Sequence, residues 1–146
     1  MTNELTDDVL DEVVGEVAES MVFSYAEPSP TPLDKSASDL CWSRIDLIAP
    51  ASGSMVVVAN ADTAAAMFDA LWAGEVPSTD EAVEGFMDEL ANAIGGQVLA
   101  RIDPEAPARL GLPIAGRGPL PHGQGQSLRV YELEGAGLLG IAYTPH

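Results

Sequence analysis

The sequence predicts an α/β (α+β) fold, a single domain over residues 1–146 in which an antiparallel-rich sheet is covered by helices. Two observations predict it. Apolar residues recur at helical spacing in three segments, and four short apolar runs pair into two hairpins at Gly-containing turns. The order reads α-β-β-α-α-β-β, with no repeat and no linker long enough to divide the chain.

The first helix begins at Thr6 with Asp7 and Asp8 behind it, suited to capping and to the helix dipole. Val9, Val13, Val17 and Met21, beside Leu10 and Val14, make its apolar stripe. Pro28, Pro30 and Pro32 mark the next segment as a loop. "LCWSRIDLIAP" and "SMVVVAN" form a hairpin about "ASG", and "DTAAAMFDALWAG" forms a helix closing at Gly74. Ser78 or Thr79 caps a third helix that runs from Asp80 to about Arg101. The Pro- and Gly-rich stretch that follows is mostly irregular, with a short strand at 110–115. "SLRVYELEG" and "GLLGIAYTP" form a terminal hairpin turning at "EGAG".

Composition limits the function. Six Lys and Arg against 23 Asp and Glu give a formal net charge of -17, which repels nucleic acid and anionic lipid alike. No apolar run approaches the roughly 20 residues of a membrane span, and the acidic N-terminus lacks the basic start of a signal peptide. Cys41 is the lone cysteine, which suits a reducing compartment. A cytoplasmic protein is expected.

The third helix carries the informative residues. At about 100° per residue, Val83, Phe86, Met87, Leu90, Ile94, Val98 and Ile102 share one broad apolar arc. Gly85, Glu89, Asn92 and Gly96 lie opposite, within roughly 60° of one another. Asn and Gly both weaken a helix interior, Gly by about 1 kcal/mol relative to Ala. A polar pair flanked by residues without side chains is a surface another molecule can approach closely. The competing reading is an ordinary solvated face, with Gly95 and Gly96 serving close packing or a kink.

Glu89-Leu90-Ala91-Asn92-Ala93-Ile94-Gly95-Gly96 resembles the Glu-x-x-Asn helix of the CheX/CheC chemotaxis phosphatases, and Pro113 lies about where that family places a proline. The stretch from Ser52 to Gly96 follows the family's order of hairpin, helix, short linker and motif helix. Gly85 departs from the family pattern, which has Asp or Ser there, and the spacing to Pro113 is short by about one residue. The first helix has no second Glu-x-x-Asn, so the resemblance is to CheX more than to CheC.

The resemblance implies hydrolysis of the aspartyl phosphate of a CheY-like response-regulator receiver. Asn92 and Glu89 would be its catalytic residues, and Gly85, Gly96 and Pro113 would contact the partner. The chemistry suits them. An amide offers one acceptor and two donors to an attacking water and no negative charge to the phosphoryl oxygens. The Glu89 carboxylate would instead meet a cation on the partner, such as the receiver's lysine. Mg²⁺ would sit on the receiver, with no cofactor on this chain. The family also implies a homodimer, and the terminal hairpin is the expected interface. The alternative is a receiver-binding or dimer-forming module of a bacterial signalling pathway, with weak catalysis.

Other groups read as structural. Asp80, Glu81, Glu84, Asp88 and Glu89 spread around the helix, and His122, His146 and Cys41 lack zinc-ligand spacing, so no metal site is assigned. Ser52-Gly53-Ser54 reads as a turn and "GRGPLPHGQGQ" as a flexible connector. Trp42 and Trp72 read as core or interface residues.

Overall fold

A computed structural model describes residues 5–146; the first four residues of the acidic N-terminal segment lie outside the described residues. Three helices, α1 (Asp7–Val22), α2 (Ala61–Trp72) and α3 (Asp80–Ile102), pack on a seven-stranded antiparallel sheet. Its strands are β1 (Ala26–Pro28), β2 (Leu40–Ala49), β3 (Gly53–Asn60), β4 (Arg109–Leu110), β5 (Ile114–Arg117), β6 (Ser127–Leu133) and β7 (Gly137–Pro145). They run in the order β1-β6-β7-β3-β2-β4, with β5 also paired to β2.

Each helix starts on a side-chain cap. Thr6, Asn60 and Thr79 accept hydrogen bonds from the backbone N–H of Val9, Thr63 and Ala82, at 3.3, 2.8 and 3.2 Å. Both predicted hairpins form, with Ile45 opposite Met55 in one and Val130 opposite Gly140 in the other. Alternation then sorts the side chains. Cys41, Ile45, Leu47, Met55, Val57, Leu139 and Ile141 point toward the helices and build the main core with α1, α2 and α3.

Several details go beyond the sequence pattern. Helices cover only one face of the sheet; on the other, Leu40, Val56, Val58 and Ala142 pack with Leu120, Leu33 and Ala37 from loops and with Trp42 of β2. The connector at 116–126 is therefore pinned: Leu120 is buried, and its N–H donates to the Lys35 carbonyl at 2.8 Å. The proline-rich loop opens with β1, which pairs with Tyr131–Leu133 of β6. The strand expected at 110–115 splits into β4 and β5 around Gly111–Pro113; both halves pair with β2, and the register of the β4 pairing shifts between Leu47 and Ala49.

The terminal hairpin, expected as an interface, presents an edge only in part, because β1 pairs with Tyr131–Leu133 and, among the described residues, no strand pairs with the outer side of the preceding residues of β6. β7 lies between β3 and β6; one side of the sheet ends at β1 and the uncovered part of β6, the other at β4 and β5. Among the described residues, no helix is long and apolar enough to cross a membrane.

Candidate functional site

The site is the outer face of α3. Gly85, Glu89 and Asn92 are all exposed there, while Val83, Phe86, Met87, Leu90, Ile94 and Val98 are buried beneath them. Among the described residues, neither the Glu89 carboxylate nor the Asn92 amide has a hydrogen-bond or ion-pair partner within the chain. Two polar groups three residues apart thus point outward from a rigid support with their bonding capacity free.

The neighbouring residues on the same helix are tied down. Glu84, Asp88 and Asn92 succeed one another at four-residue spacing, so they form a column along one edge of α3. Arg117 on β5 donates from Nε to Glu84 at 3.1 Å, and its Nη2 lies 3.3 Å from the Asp80 carboxylate. A cation beside a helix N-terminus is unfavourable, and these acidic residues offset it. One turn on, the Ser43 hydroxyl of β2 donates to Asp88 at 2.6 Å. Ser43 is 0% exposed, so this bond satisfies a hydroxyl that water cannot reach.

The glycines divide into two kinds. A Cβ on Gly85 would meet nothing within 4 Å, so the gap there is open to the exterior. Gly95 is buried, and a Cβ there would lie 3.2 Å from Leu110 and 3.3 Å from Leu47. Close packing is therefore its use, against strands β4 and β2. Gly96 is half-buried with Leu110 3.7 Å from where its Cβ would be, so it does not bare the helix as Gly85 does. Pro113 is not on the helix: it stands half-buried at the break between β4 and β5, between Leu112 and Ile114, which are 89% and 65% exposed. The structure thus brings Gly85, Glu89 and Asn92 onto one face, and leaves Gly96 partly covered and Pro113 on the sheet edge nearest α3.

Ser43 and Arg117 escaped the sequence reading, although each left a signal. Ser43 is a hydroxyl in an inward column otherwise made of Cys41, Ile45 and Leu47. Arg117 is one of only six basic residues in an acidic chain. The same Arg117 donates from Nη1 to the Cys41 sulfur at 3.2 Å, while burial pushes that thiol's pKa up, which leaves Cys41 a poor nucleophile.

Elsewhere, a depression of about 190 Å³ lies on the loop-covered face, lined by Arg44, Ser54, Gln126, His122 and His146 among others. It is across the sheet from α3 and shares no residue with the site. Among the described residues, no three His, Cys, Asp or Glu side chains are grouped to hold a metal ion.

The family model described as chemotaxis phosphatase CheX matches residues 42–122, more than half of the chain, and that span contains the whole α3 face and Pro113. The chain belongs to the CheX family. Solved structures share its fold. A chemotaxis protein from Desulfovibrio vulgaris Hildenborough superposes with a TM-score of 0.77 at 14% identity, covering 95% of each chain. The CheX-CheY-BeF3-Mg complex from Borrelia burgdorferi gives 0.72 at 15% identity, covering 98% of each. The FliM middle domain from H. pylori gives 0.60 at 15% identity, covering 95% of this chain and 93% of that one. No curated protein matches the sequence. At these identities the likeness is one of fold.

Proposed function

We propose that the 146 residues act as one CheX-like domain that hydrolyses the aspartyl phosphate of a CheY-like receiver in the cytoplasm. The observation that carries this reading is the free pair on α3: Glu89 and Asn92 are exposed, adjacent on one helix face and unpartnered within the chain, inside the span matched to the family. Support for the partner comes from the relative of the same fold in Borrelia burgdorferi, which forms a complex with CheY, BeF3 and Mg²⁺.

An acyl phosphate is already activated, so hydrolysis needs chiefly a water held in line with phosphorus. In this reading the Asn92 amide holds that water. The water oxygen bonds to phosphorus, the acyl P–O bond breaks, and the receiver's carboxylate and inorganic phosphate leave, the water proton passing to phosphate or solvent. Glu89 binds the receiver's lysine and seats α3. Arg101, Arg117 and Arg129 are each ion-paired to other carboxylates and do not compete for it. Gly85 leaves room for the partner backbone, and Gly96 and Pro113 border the contact. Mg²⁺ belongs to the receiver, and this chain supplies no ligand to it.

The test is phosphate release from a phosphorylated CheY-like receiver of the same organism, with and without this protein. Acceleration at substoichiometric concentration supports the reading. Tight binding of the beryllofluoride-loaded receiver with no acceleration replaces it with a receiver-binding module, the reading that Gly85 favours by standing where the family has Asp or Ser.

A further inference from the structure

We propose that Ser43 and Asp88 are positioning residues for Asn92, a role that rests on Asn92 being the reacting amide. α3 buries a wide arc, from Phe86 round to Leu99, against the sheet and the other helices. Apolar packing of that kind is non-directional, so it fixes the depth of a helix better than its rotation about its own axis. Rotation matters here. A turn of about 10° moves a side-chain tip 5–6 Å from the axis by about 1 Å, and a misplacement of that size costs about 10²-fold in rate.

The Ser43–Asp88 hydrogen bond supplies the missing direction. Its donor is a fully buried hydroxyl on β2, a central stretch of sheet paired with β3 on one side and with β4 and β5 on the other. Its acceptor lies one helical turn before Asn92 in the same column and next to Glu89 in sequence. The second tie in that column, Arg117 to Glu84, sits a further turn away and on a more exposed surface, where ion pairs hold weakly. At the far end of α3, Arg101 is tied to Glu12 and Glu16 of α1, well beyond the site.

The experiment compares Ser43→Ala, Asp88→Ala, Asp88→Asn and the double variant S43A/D88A in the full chain, with Arg101→Gln as the control that loosens the other end of α3. Two quantities are read: steady-state dephosphorylation of the receiver, and the ¹⁵N order parameter of the Asn92 side-chain amide in the free protein. S43A and D88A are expected to lower kcat about tenfold with KM changed less than about threefold. The double variant falls no further than either single one, and D88N, whose carboxamide oxygen still accepts from Ser43, retains kcat. The Asn92 order parameter drops in S43A and D88A and recovers in D88N, while R101Q changes neither quantity. Unchanged kcat and an unchanged Asn92 order parameter in folded S43A overturn the proposal. If wild type dephosphorylates no receiver, the functional reading fails, and the Asn92 order parameter still decides whether the bond orients that side chain.

Discussion

Ser43 and Asp88 meet at 2.6 Å across the seam between β2 and α3, one residue before Glu89 and one turn before Asn92. The contact joins a fully buried hydroxyl of the sheet to a half-buried carboxylate beside the exposed face of the helix. It lets a helix whose inner side is packed only by apolar residues present two free polar groups in a fixed direction.

Glu89→Gln removes a charge-assisted contact to the partner and leaves the helix otherwise intact. Such hydrogen bonds contribute about 1.5–3 kcal/mol, so the Kd for a beryllofluoride-loaded receiver rises about tenfold or more while kcat changes little. Calorimetric titration at two salt concentrations checks it: the wild-type affinity falls with salt more steeply than that of the variant.

Gly85→Ala raises stability by about 0.5–1 kcal/mol, because Gly in a helix costs that much and the added methyl meets nothing within 4 Å. Gly15→Ala on α1, equally free of neighbours, gives the same gain and serves as the control. Gly85→Leu keeps the stability and weakens receiver binding, and Gly15→Leu does not. Urea melts and the same titration separate the two effects.

Gly95→Leu destabilises by about 2 kcal/mol or more, since Leu110, Leu47 and Met55 already lie 3.2 to 3.5 Å from where its Cβ would be. The urea midpoint falls at unchanged m-value. Retention of wild-type stability would show that Leu110 moves aside and that close approach is not the use of this glycine.

Stability depends on pH through a cluster that ties α1 to β6. Arg129 donates to Asp11 at 2.6 and 2.8 Å, and the buried Tyr131 hydroxyl donates to the same carboxylate at 2.6 Å. The hydrogen bond from Arg129, opposed by burial, holds Asp11 below its ordinary pKa of 3.8. Its contribution is therefore present above about 3.8 and lost as pH falls through the lowered value. Burial first, then the bond to Asp11, pushes Tyr131 above 10.0, so its contribution is present below about 10 and lost as pH rises beyond it. Chemical denaturation across pH finds a steeper acid limb in wild type than in Asp11→Asn.

Much of the fold was legible because it is written in local patterns. Thr6 and Thr79 cap helices as their residue types suggest, and the turns at 50–52 and 134–136 close the two hairpins. The outward placement of Gly85, Glu89 and Asn92 followed from helical periodicity alone. What escaped the sequence depended on distant segments meeting. Nothing local to Leu120 reveals that it seals the second face of the sheet, and Gly96 is partly covered only because Leu110 arrives from β4. Likewise, the partners of Ser43 and Arg117 lie 45 and 33 residues away in the chain. β1 escaped for the same reason, since a three-residue strand has too little pattern to be seen.

Single-turnover dephosphorylation of a phosphorylated receiver by Asn92→Ala decides whether the Asn92 amide positions the attacking water. A water-positioning amide requires a fall of about 10²-fold or more in the catalysed rate, with the Kd for the beryllofluoride-loaded receiver within about threefold of wild type. A variant that binds and dephosphorylates the receiver as wild type does would rule out that role.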